Sequence, residues 1–160
     1  MNGMPVDLGT GETMIQSIGV IGAGQMGNGI AQVAACAGYD VVMIDIKDEY
    51  VEKGLGTIQF SLGKLVSKER MTQADADAAL ARIKTGTDRS MCADCDLVVE
   101  AVPEVLSLKQ DIFTELDSIC KPETILASNT SSISITTIAA STQRPEKVIG
   151  MHFMNPVPIM

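Results

Sequence analysis

Residues 15–31 read IQSIGVIGAGQMGNGIA, and this stretch decides the fold. Its first half is short, apolar and rich in β-branched residues, which predicts a buried strand. After a glycine-rich turn, apolar residues recur at the spacing of one helix face, at Met26, Ile30, Val33 and Ala37. Gly38 then supplies a stop for the predicted helix. A strand, a glycine turn and a helix in this order predict a nucleotide-binding unit.

In the turn GAGQMG, at residues 22–27, each glycine is predicted to have a separate role. Gly22 permits a tight turn, Gly24 lets the backbone approach a pyrophosphate, and Gly27 lets the helix pack closely on the strand. Gln25 and Met26 open the helix, where free N–H groups and the positive end of the helix dipole attract an anion. These residues are therefore predicted to bind a dinucleotide.

A carboxylate follows at the end of the second apolar run, DVVMID at residues 40–45. Asp45 comes 18 residues after Gly27, where an acid accepts hydrogen bonds from the adenosine ribose. A negative charge there also repels a 2′-phosphate, which favours NAD over NADP. The alternative is that Asp45 only caps the next turn, a role that Asp48 could fill equally well.

The rest of the chain alternates between amphipathic and apolar segments. Helices are predicted at 48–66, at 73–81 behind a Thr72–Asp75 capping signal, at 105–119 and at 134–140. Strands are predicted at 82–88, 96–102, 124–129 and 147–152. Fully apolar strands that alternate with helices predict an α/β fold with a doubly wound, mostly parallel sheet of the Rossmann type, in the order 3-2-1-4-5-6.

Length and charge narrow the possible functions. A chain of 160 residues predicts one domain, here 15–160, behind a flexible leader at 1–14. The net charge of −8, without a basic run, argues against a nucleic-acid-binding protein. No apolar stretch has the roughly 20 residues that a membrane span needs, and the amino terminus does not resemble a signal peptide. We therefore expect no nucleic-acid or membrane partner.

The four cysteines are predicted to be structural. Cys36 and Cys120 lie in apolar helical patterns and are expected in the core. Cys92 and Cys95 form a C-x-x-C pair, but a zinc site would need a second pair or nearby histidines, which the sequence lacks. We therefore predict no metal, and reduced thiols that fit a cytoplasmic protein.

Ligands of a doubly wound sheet gather outside the carboxyl ends of its strands. Polar residues follow the later predicted strands at those ends: Glu100, Glu104, the run SNTSS at 128–132, His152 and Asn155. His152 is the only histidine of the chain, and Pro156 and Pro158 stiffen the segment after it. The sequence thus predicts a polar site at the rim of the dinucleotide cleft.

Each of these residues also has a purely structural explanation. Ser131 and Ser132 could cap the helix that starts near Ser134, and a lone histidine at a strand end is more often a hydrogen-bonded polar residue. Asn155 before a proline could simply form a turn. Glu104 could place a favourable charge in the first turn of its helix, and Lys109 could lie on a solvated helix face.

Four stretches together resemble a known family: VIGAGQMGNGIA (20–31), DLVVEAVPE (96–104), ASNTSS (127–132) and GMHFMNPVP (150–158). They are similar to the amino-terminal domain of the L-3-hydroxyacyl-CoA dehydrogenases, including the bacterial 3-hydroxybutyryl-CoA type. The resemblance extends over about residues 15–160.

The resemblance implies a role for each matching residue. His152 corresponds to the catalytic base, Ser131 to the residue that hydrogen-bonds the substrate 3-oxygen and cofactor, and Asn155 to a catalytic residue at the nicotinamide end of NAD. It further implies NAD contacts for Glu104 and Lys109, and coenzyme A contacts for Lys109, Ser61 and Lys68. The implied reaction moves a hydride between C3 of a 3-hydroxyacyl-CoA and NAD, in fatty acid and butyrate metabolism.

The family's pattern continues past the last residue of this chain. Its members orient the histidine with a glutamate after NPVP, and an all-helical domain then closes the cleft and forms the dimer. Met160 comes before both features. We therefore expect an NAD-binding half that turns over poorly or not at all by itself. The competing hypotheses are an inactive NAD-binding module and a dehydrogenase of a free hydroxy acid.

Overall fold

Six parallel strands form one sheet in the order β3-β2-β1-β4-β5-β6, as the sequence predicts. The structure, a computed structural model, describes residues 14–160. All but the last residue of the predicted leader therefore lies outside the described residues. The strands are β1 Ser17–Ile21, β2 Asp40–Ile44, β3 Ile83–Gly86, β4 Leu97–Glu100, β5 Ile125–Ser128 and β6 Val148–Gly150.

Five α-helices connect these strands, and the four predicted after the first strand-turn-helix unit all form. They are α1 Gln25–Cys36, α2 Asp48–Ser67, α3 Gln73–Ala81, α4 Leu106–Ile119 and α5 Ile135–Ala139. Two short 3-10 helices, Arg89–Cys92 and Pro145–Lys147, were not predicted, because three or four residues are too few to show a periodic pattern.

Helices cover both faces of the sheet, which explains why its strands are apolar throughout. Ile18 and Val20 of β1 face a core formed with α1, α2 and α3, whereas Ile21 faces a second core formed with α4 and α5. Alternate residues of one strand thus contribute to opposite cores.

Two of the predicted helix ends have the expected geometry. At the end of α1, Gly38 has a φ of +100°, its N–H bonds the Ala35 carbonyl at 3.1 Å, and the Tyr39 N–H bonds the Ala34 carbonyl at 3.1 Å. This is the paired bonding of a Schellman motif. At the start of α3, the Asp75 N–H donates to the Thr72 hydroxyl at 3.1 Å.

The cysteine predictions are only partly correct. Cys92, Cys95 and Cys120 are buried, and burial raises the pKa of the Cys120 thiol to about 11. Cys36 is exposed, contrary to the prediction, because it is the last residue of α1, beyond the part of the helix that packs on the sheet. Among residues 14–160, no three acidic, histidine or cysteine side chains form a group that could hold a metal ion.

No helix within residues 14–160 combines the length and the apolar content that crossing a bilayer requires.

Candidate active site

The glycine turn has the geometry that the three predicted roles require. Gly22 has a φ of +105°, and a Cβ there would lie 2.7 Å from the Ala101 carbonyl oxygen. A Cβ at Gly27 would lie 1.7 Å from the Gly22 carbonyl oxygen, so a side chain cannot fit between helix and turn. At Gly24 a Cβ would meet no atom within 4 Å, so this position faces open space. The turn is therefore closed toward the protein and open toward the cleft.

The start of α1 faces the same cleft with unused hydrogen-bond donors. The Asn28 N–H bonds the Gly24 carbonyl at 2.9 Å, which leaves the N–H groups of Gln25, Met26 and Gly27 without an acceptor within the helix. Gly24 provides no side-chain cap, and the first turn contains no acidic residue. Together the N–H groups and the helix dipole fit the diphosphate of a dinucleotide.

Gly24→Val separates ligand binding from folding. A Cβ at residue 24 meets no protein atom within 4 Å, and this residue lines the cleft. We therefore expect NADH affinity to fall roughly 5- to 100-fold, which corresponds to about 1–3 kcal/mol of overpacking against the ligand. The melting temperature should change little. Fluorescence titration with NADH measures the affinity. The control is Gly56→Val, an equally open position on α2 that does not line the cleft. Equal NADH affinity in both variants would contradict the assignment of the turn.

Asp45 connects the end of β2 to the glycine turn. Its Oδ2 accepts a hydrogen bond from the Ala23 N–H at 2.7 Å, and its Oδ1 accepts one from the Ile46 N–H at 2.7 Å. The bond to Ile46 is in part what the alternative predicts, a cap of the next turn, but Asp45 does not cap α2, whose N-cap is Lys47. The carboxylate therefore lies beside the turn, at the position that suits a ribose.

Two adjoining cavities open at the carboxyl ends of the strands. The larger has a volume of about 1060 Å³, and the glycine turn and Asp45 line it. The smaller has a volume of about 330 Å³ and brings together most of the other predicted site residues: Met26, Glu104, Lys109, Ser131, His152 and Asn155. Ala101 and Val102 line both cavities, so the polar site lies directly beside the nucleotide cleft.

His152 and Ser131 have side chains that make no hydrogen bond to residues 14–160, so a purely structural role does not account for them. The strand predicted to end at His152 ends at Gly150, and His152 is exposed two residues later. The N-cap of α5 is Ser134, whose hydroxyl accepts from the Thr137 N–H at 3.4 Å, and not Ser131. Both side chains therefore remain available to a ligand in the smaller cavity.

Lys109 is buried, with a side chain that is 1% exposed, and does not lie on a solvated helix face. Its ammonium group lies 2.7 Å from Glu100 Oε1 and 3.2 Å from Glu104 Oε2, and it donates to the Val102 carbonyl at 3.3 Å. These three acceptors match the three N–H bonds of the ammonium group. Contacts from Lys109 to NAD or coenzyme A remain predictions.

Glu100 is the site residue whose role the sequence did not reveal. It is fully buried, accepts from the Lys109 ammonium, and also accepts from the Val102 N–H at 2.7 Å and the Ser128 hydroxyl at 2.6 Å. The sequence signal that could have revealed this role is an acid at the end of the otherwise apolar strand LVVE. A buried carboxylate needs such partners, which tie β4, β5 and α4 together.

Glu104 fixes the loop that carries Ser131. It precedes α4, which starts at Leu106, so it does not occupy the first helical turn. Its Oε1 accepts from the Thr130 hydroxyl, from the Ser132 hydroxyl at 3.0 Å and from the Ser131 N–H at 3.3 Å. Burial raises the pKa of Glu104, but hydrogen bonds from Thr130, Ser132 and Lys109 outweigh it and lower the pKa to about 2.

A carboxyl group whose pKa is lowered by folding stabilises the folded state above its unfolded pKa of about 4.3. This contribution is lost as the pH falls from there toward 2. We therefore expect the free energy of unfolding, measured in urea, to fall less between pH 5 and pH 2.5 in Glu104→Gln than in the parent chain. The glutamine oxygen still accepts from Thr130 and Ser132. Glu52→Gln, an exposed substitution on α2, is the control, and an unchanged pH dependence in Glu104→Gln would contradict the assignment.

Ser61 and Lys68 are not brought to this site. Ser61 is half-buried on α2 and Lys68 is the exposed C-cap of the same helix, and neither lines the two cavities. Their contacts to coenzyme A remain a prediction.

Comparisons with known proteins agree with this geometry. The sequence profile of the family described as "3-hydroxyacyl-CoA dehydrogenase, NAD binding domain" matches residues 17–160. A relative from Deinococcus radiodurans, named "Probable 3-hydroxybutyryl-CoA dehydrogenase", is 58% identical over 89% of this chain and 51% of its own length. The 3-hydroxybutyryl-CoA dehydrogenase of Bradyrhizobium diazoefficiens is 52% identical over 92% of this chain and 50% of its own.

A solved structure has the same fold. The crystal structure of (S)-3-hydroxybutyryl-CoA dehydrogenase from Ralstonia eutropha superposes with a TM-score of 0.90 and 50% identity, over 92% of this chain and 52% of that one. The chain thus spans about half the length of the relatives that it matches. With the matched profile, the glycine turn and the polar site in agreement, this chain belongs to the NAD-binding domain family of the 3-hydroxyacyl-CoA dehydrogenases.

Proposed function

We propose that this chain is the NAD-binding half of a 3-hydroxyacyl-CoA dehydrogenase, with 3-hydroxybutyryl-CoA as its substrate and His152 as its general base. One observation carries the proposal. The only histidine of the chain lies with Ser131 and Asn155 in a cavity that adjoins the glycine-turn cleft. A base, a hydroxyl donor and a nucleotide cleft at one edge of the sheet are what alcohol oxidation requires.

The residues of the cleft fit NAD, which when bound supplies the acceptor for the substrate hydride. The N–H groups of Gln25, Met26 and Gly27 bind the diphosphate, and Gly24 leaves room for it. The Asp45 carboxylate accepts from the adenosine ribose, and its charge disfavours a 2′-phosphate.

In the smaller cavity, His152 removes the proton from the substrate 3-hydroxyl during oxidation and returns it during reduction. An imidazole exchanges protons near neutral pH, which suits a reversible reaction. The Ser131 hydroxyl donates to the same substrate oxygen and stabilises the charge that develops there. Glu104 holds the Ser131 backbone in place through the hydrogen bonds described above.

This chain spans about half the length of its relatives, and the family resemblance implies what the other half supplies. In the proposed whole enzyme, a glutamate after the NPVP segment orients His152, and a second, helical domain closes the cleft and forms a dimer. We also propose a cytoplasmic location, which the three buried free thiols support, and a role in fatty acid and butyrate metabolism.

Substrate selection tests this proposal. The chain is joined at Met160 to the second half of the Deinococcus radiodurans relative, and NADH absorbance is followed with acetoacetyl-CoA and with free acetoacetate. We expect NADH oxidation with the thioester and little with the free acid. Equal rates with both would instead favour a dehydrogenase of free hydroxy acids. NADH binding without turnover of either compound would favour a binding module.

A further inference from the structure

The backbone on either side of His152 is anchored to the last residue of β5 and to the residue that follows it. The Met151 N–H donates to the Ser128 carbonyl at 2.9 Å, and the Phe153 N–H donates to the side-chain oxygen of Asn129 at 2.7 Å. His152 lies between these two anchors, and its own side chain points to solvent and to the smaller cavity.

The second anchor replaces a bond that the sheet no longer provides. Along a strand, every second N–H group points toward the same neighbouring strand. The N–H groups of Met151 and Phe153 therefore point in the same direction. The ladder between β5 and β6 has ended by then, because its last pair is Ser128 with Gly150. The Asn129 side chain supplies an acceptor for the Phe153 N–H and so holds the chain one hydrogen bond beyond the end of the sheet.

Asn129 is itself firmly placed. Its N–H donates to the Glu100 carbonyl at 2.8 Å, and its neighbours Ser128 and Thr130 are 0% and 8% exposed. The Ser128 hydroxyl bonds the buried Glu100 carboxylate, which Lys109 in turn neutralises. Asn129 also lines the smaller cavity, so the anchor lies at the site and not behind it.

We propose that Asn129 is a positioning residue for His152: its amide oxygen holds the Phe153 N–H and thereby keeps the imidazole directed at the smaller cavity. This inference rests on the proposed function of His152. The amide also explains why the acceptor is not a carboxylate. Glu104 already places a negative charge in this cavity, and an aspartate at position 129 would add a second one.

Two substitutions test the proposal in the 160-residue chain by NMR, where a single histidine gives one set of imidazole signals. In Asn129→Ala, we expect the Phe153 amide to exchange about 2- to 10-fold faster, as for the loss of one hydrogen bond. The Met151 amide keeps its acceptor and reports whether β6 remains intact. Added NADH should also move the His152 signals less than in the parent, at similar NADH affinity.

Asn129→Asp keeps the acceptor and adds a charge. We expect it to preserve the slow exchange of Phe153, because the carboxylate still accepts from the Phe153 N–H. The control is Gln110→Ala, which removes a carboxamide on α4 whose one hydrogen bond within residues 14–160 goes to the Thr137 carbonyl. Unchanged Phe153 exchange in Asn129→Ala, or His152 signals that NADH moves as far in Asn129→Ala as in the parent chain, would overturn the proposal. Neither result bears on turnover, so a failure of the dehydrogenase assignment would be seen separately.

Discussion

If His152 is the general base, we expect its replacement with glutamine to lower the rate of acetoacetyl-CoA reduction by about 10²- to 10⁴-fold, the usual contribution of a general acid or base. Glutamine keeps a similar shape and can hydrogen-bond, but it cannot carry the proton. His152 is exposed and makes no hydrogen bond to residues 14–160, so the substitution should leave folding nearly unchanged. The rate is measured as NADH oxidation in the chain joined to the second half of the Deinococcus radiodurans relative.

NADH affinity provides the internal control for this experiment. We propose that the glycine turn and Asp45 bind the diphosphate and adenosine ends; both line the larger cavity, which His152 does not line. The dissociation constant for NADH should therefore change less than about 3-fold, a difference below 1 kcal/mol. Met154→Ala changes another exposed residue of the same cavity and should retain most of the rate. Turnover of His152→Gln within about 3-fold of the parent would show that another group moves the proton.

Replacing Lys109 with methionine lowers the free energy of unfolding by about 3–5 kcal/mol. Methionine has nearly the length of lysine, so packing changes little, but Glu100 becomes an unpaired charge in a fully buried position. Glu104 also loses its partner, although its own carboxyl group is 39% exposed and can bind water instead. Urea unfolding at pH 7 measures the difference.

Two further variants separate charge from packing. Lys84→Met makes the same change at an exposed position of β3 and should alter stability by less than about 0.5 kcal/mol. Adding Glu100→Gln to Lys109→Met removes the unpaired charge and keeps an acceptor for the Val102 N–H, so it should restore more than half of the loss. A loss below about 1 kcal/mol in Lys109→Met would mean that Glu100 is protonated or hydrated without its partner.

The sheet and the nucleotide cleft could be predicted because their signals are local. Gly22, Gly24 and Gly27 occupy positions of one turn, and the apolar runs on either side set the strand and the helix. The alternation of such units with right-handed crossovers predicts a doubly wound sheet, and the glycine turn favours the order usual for dinucleotide-binding sheets.

The buried ion pair of Lys109 and Glu100 could not be predicted in this way, because the two residues come from different elements. The spacing of apolar residues along α4 nevertheless indicated that Lys109 is buried. Lys109 completes a buried stripe of α4 with Ile112, Phe113 and Leu116, at steps of three, one and three residues. A lysine inside such a stripe requires a buried acid, and Glu100 ends the adjacent strand. Cys36 shows the opposite error, because apolar spacing alone does not indicate where a helix leaves the core.

The central claim is that one dinucleotide extends from the glycine turn to His152. The most direct test is a nuclear Overhauser measurement on the chain saturated with NADH, in which His152 provides the only histidine imidazole signals. We predict a cross-peak between the imidazole and the C4 protons of the nicotinamide, because a base and a hydride acceptor that serve one carbon atom must lie close together. Weaker NADH binding in Gly24→Val shows that NADH is bound at the turn. If NADH binds there but gives no cross-peak and leaves the imidazole signals unmoved, the claim is contradicted.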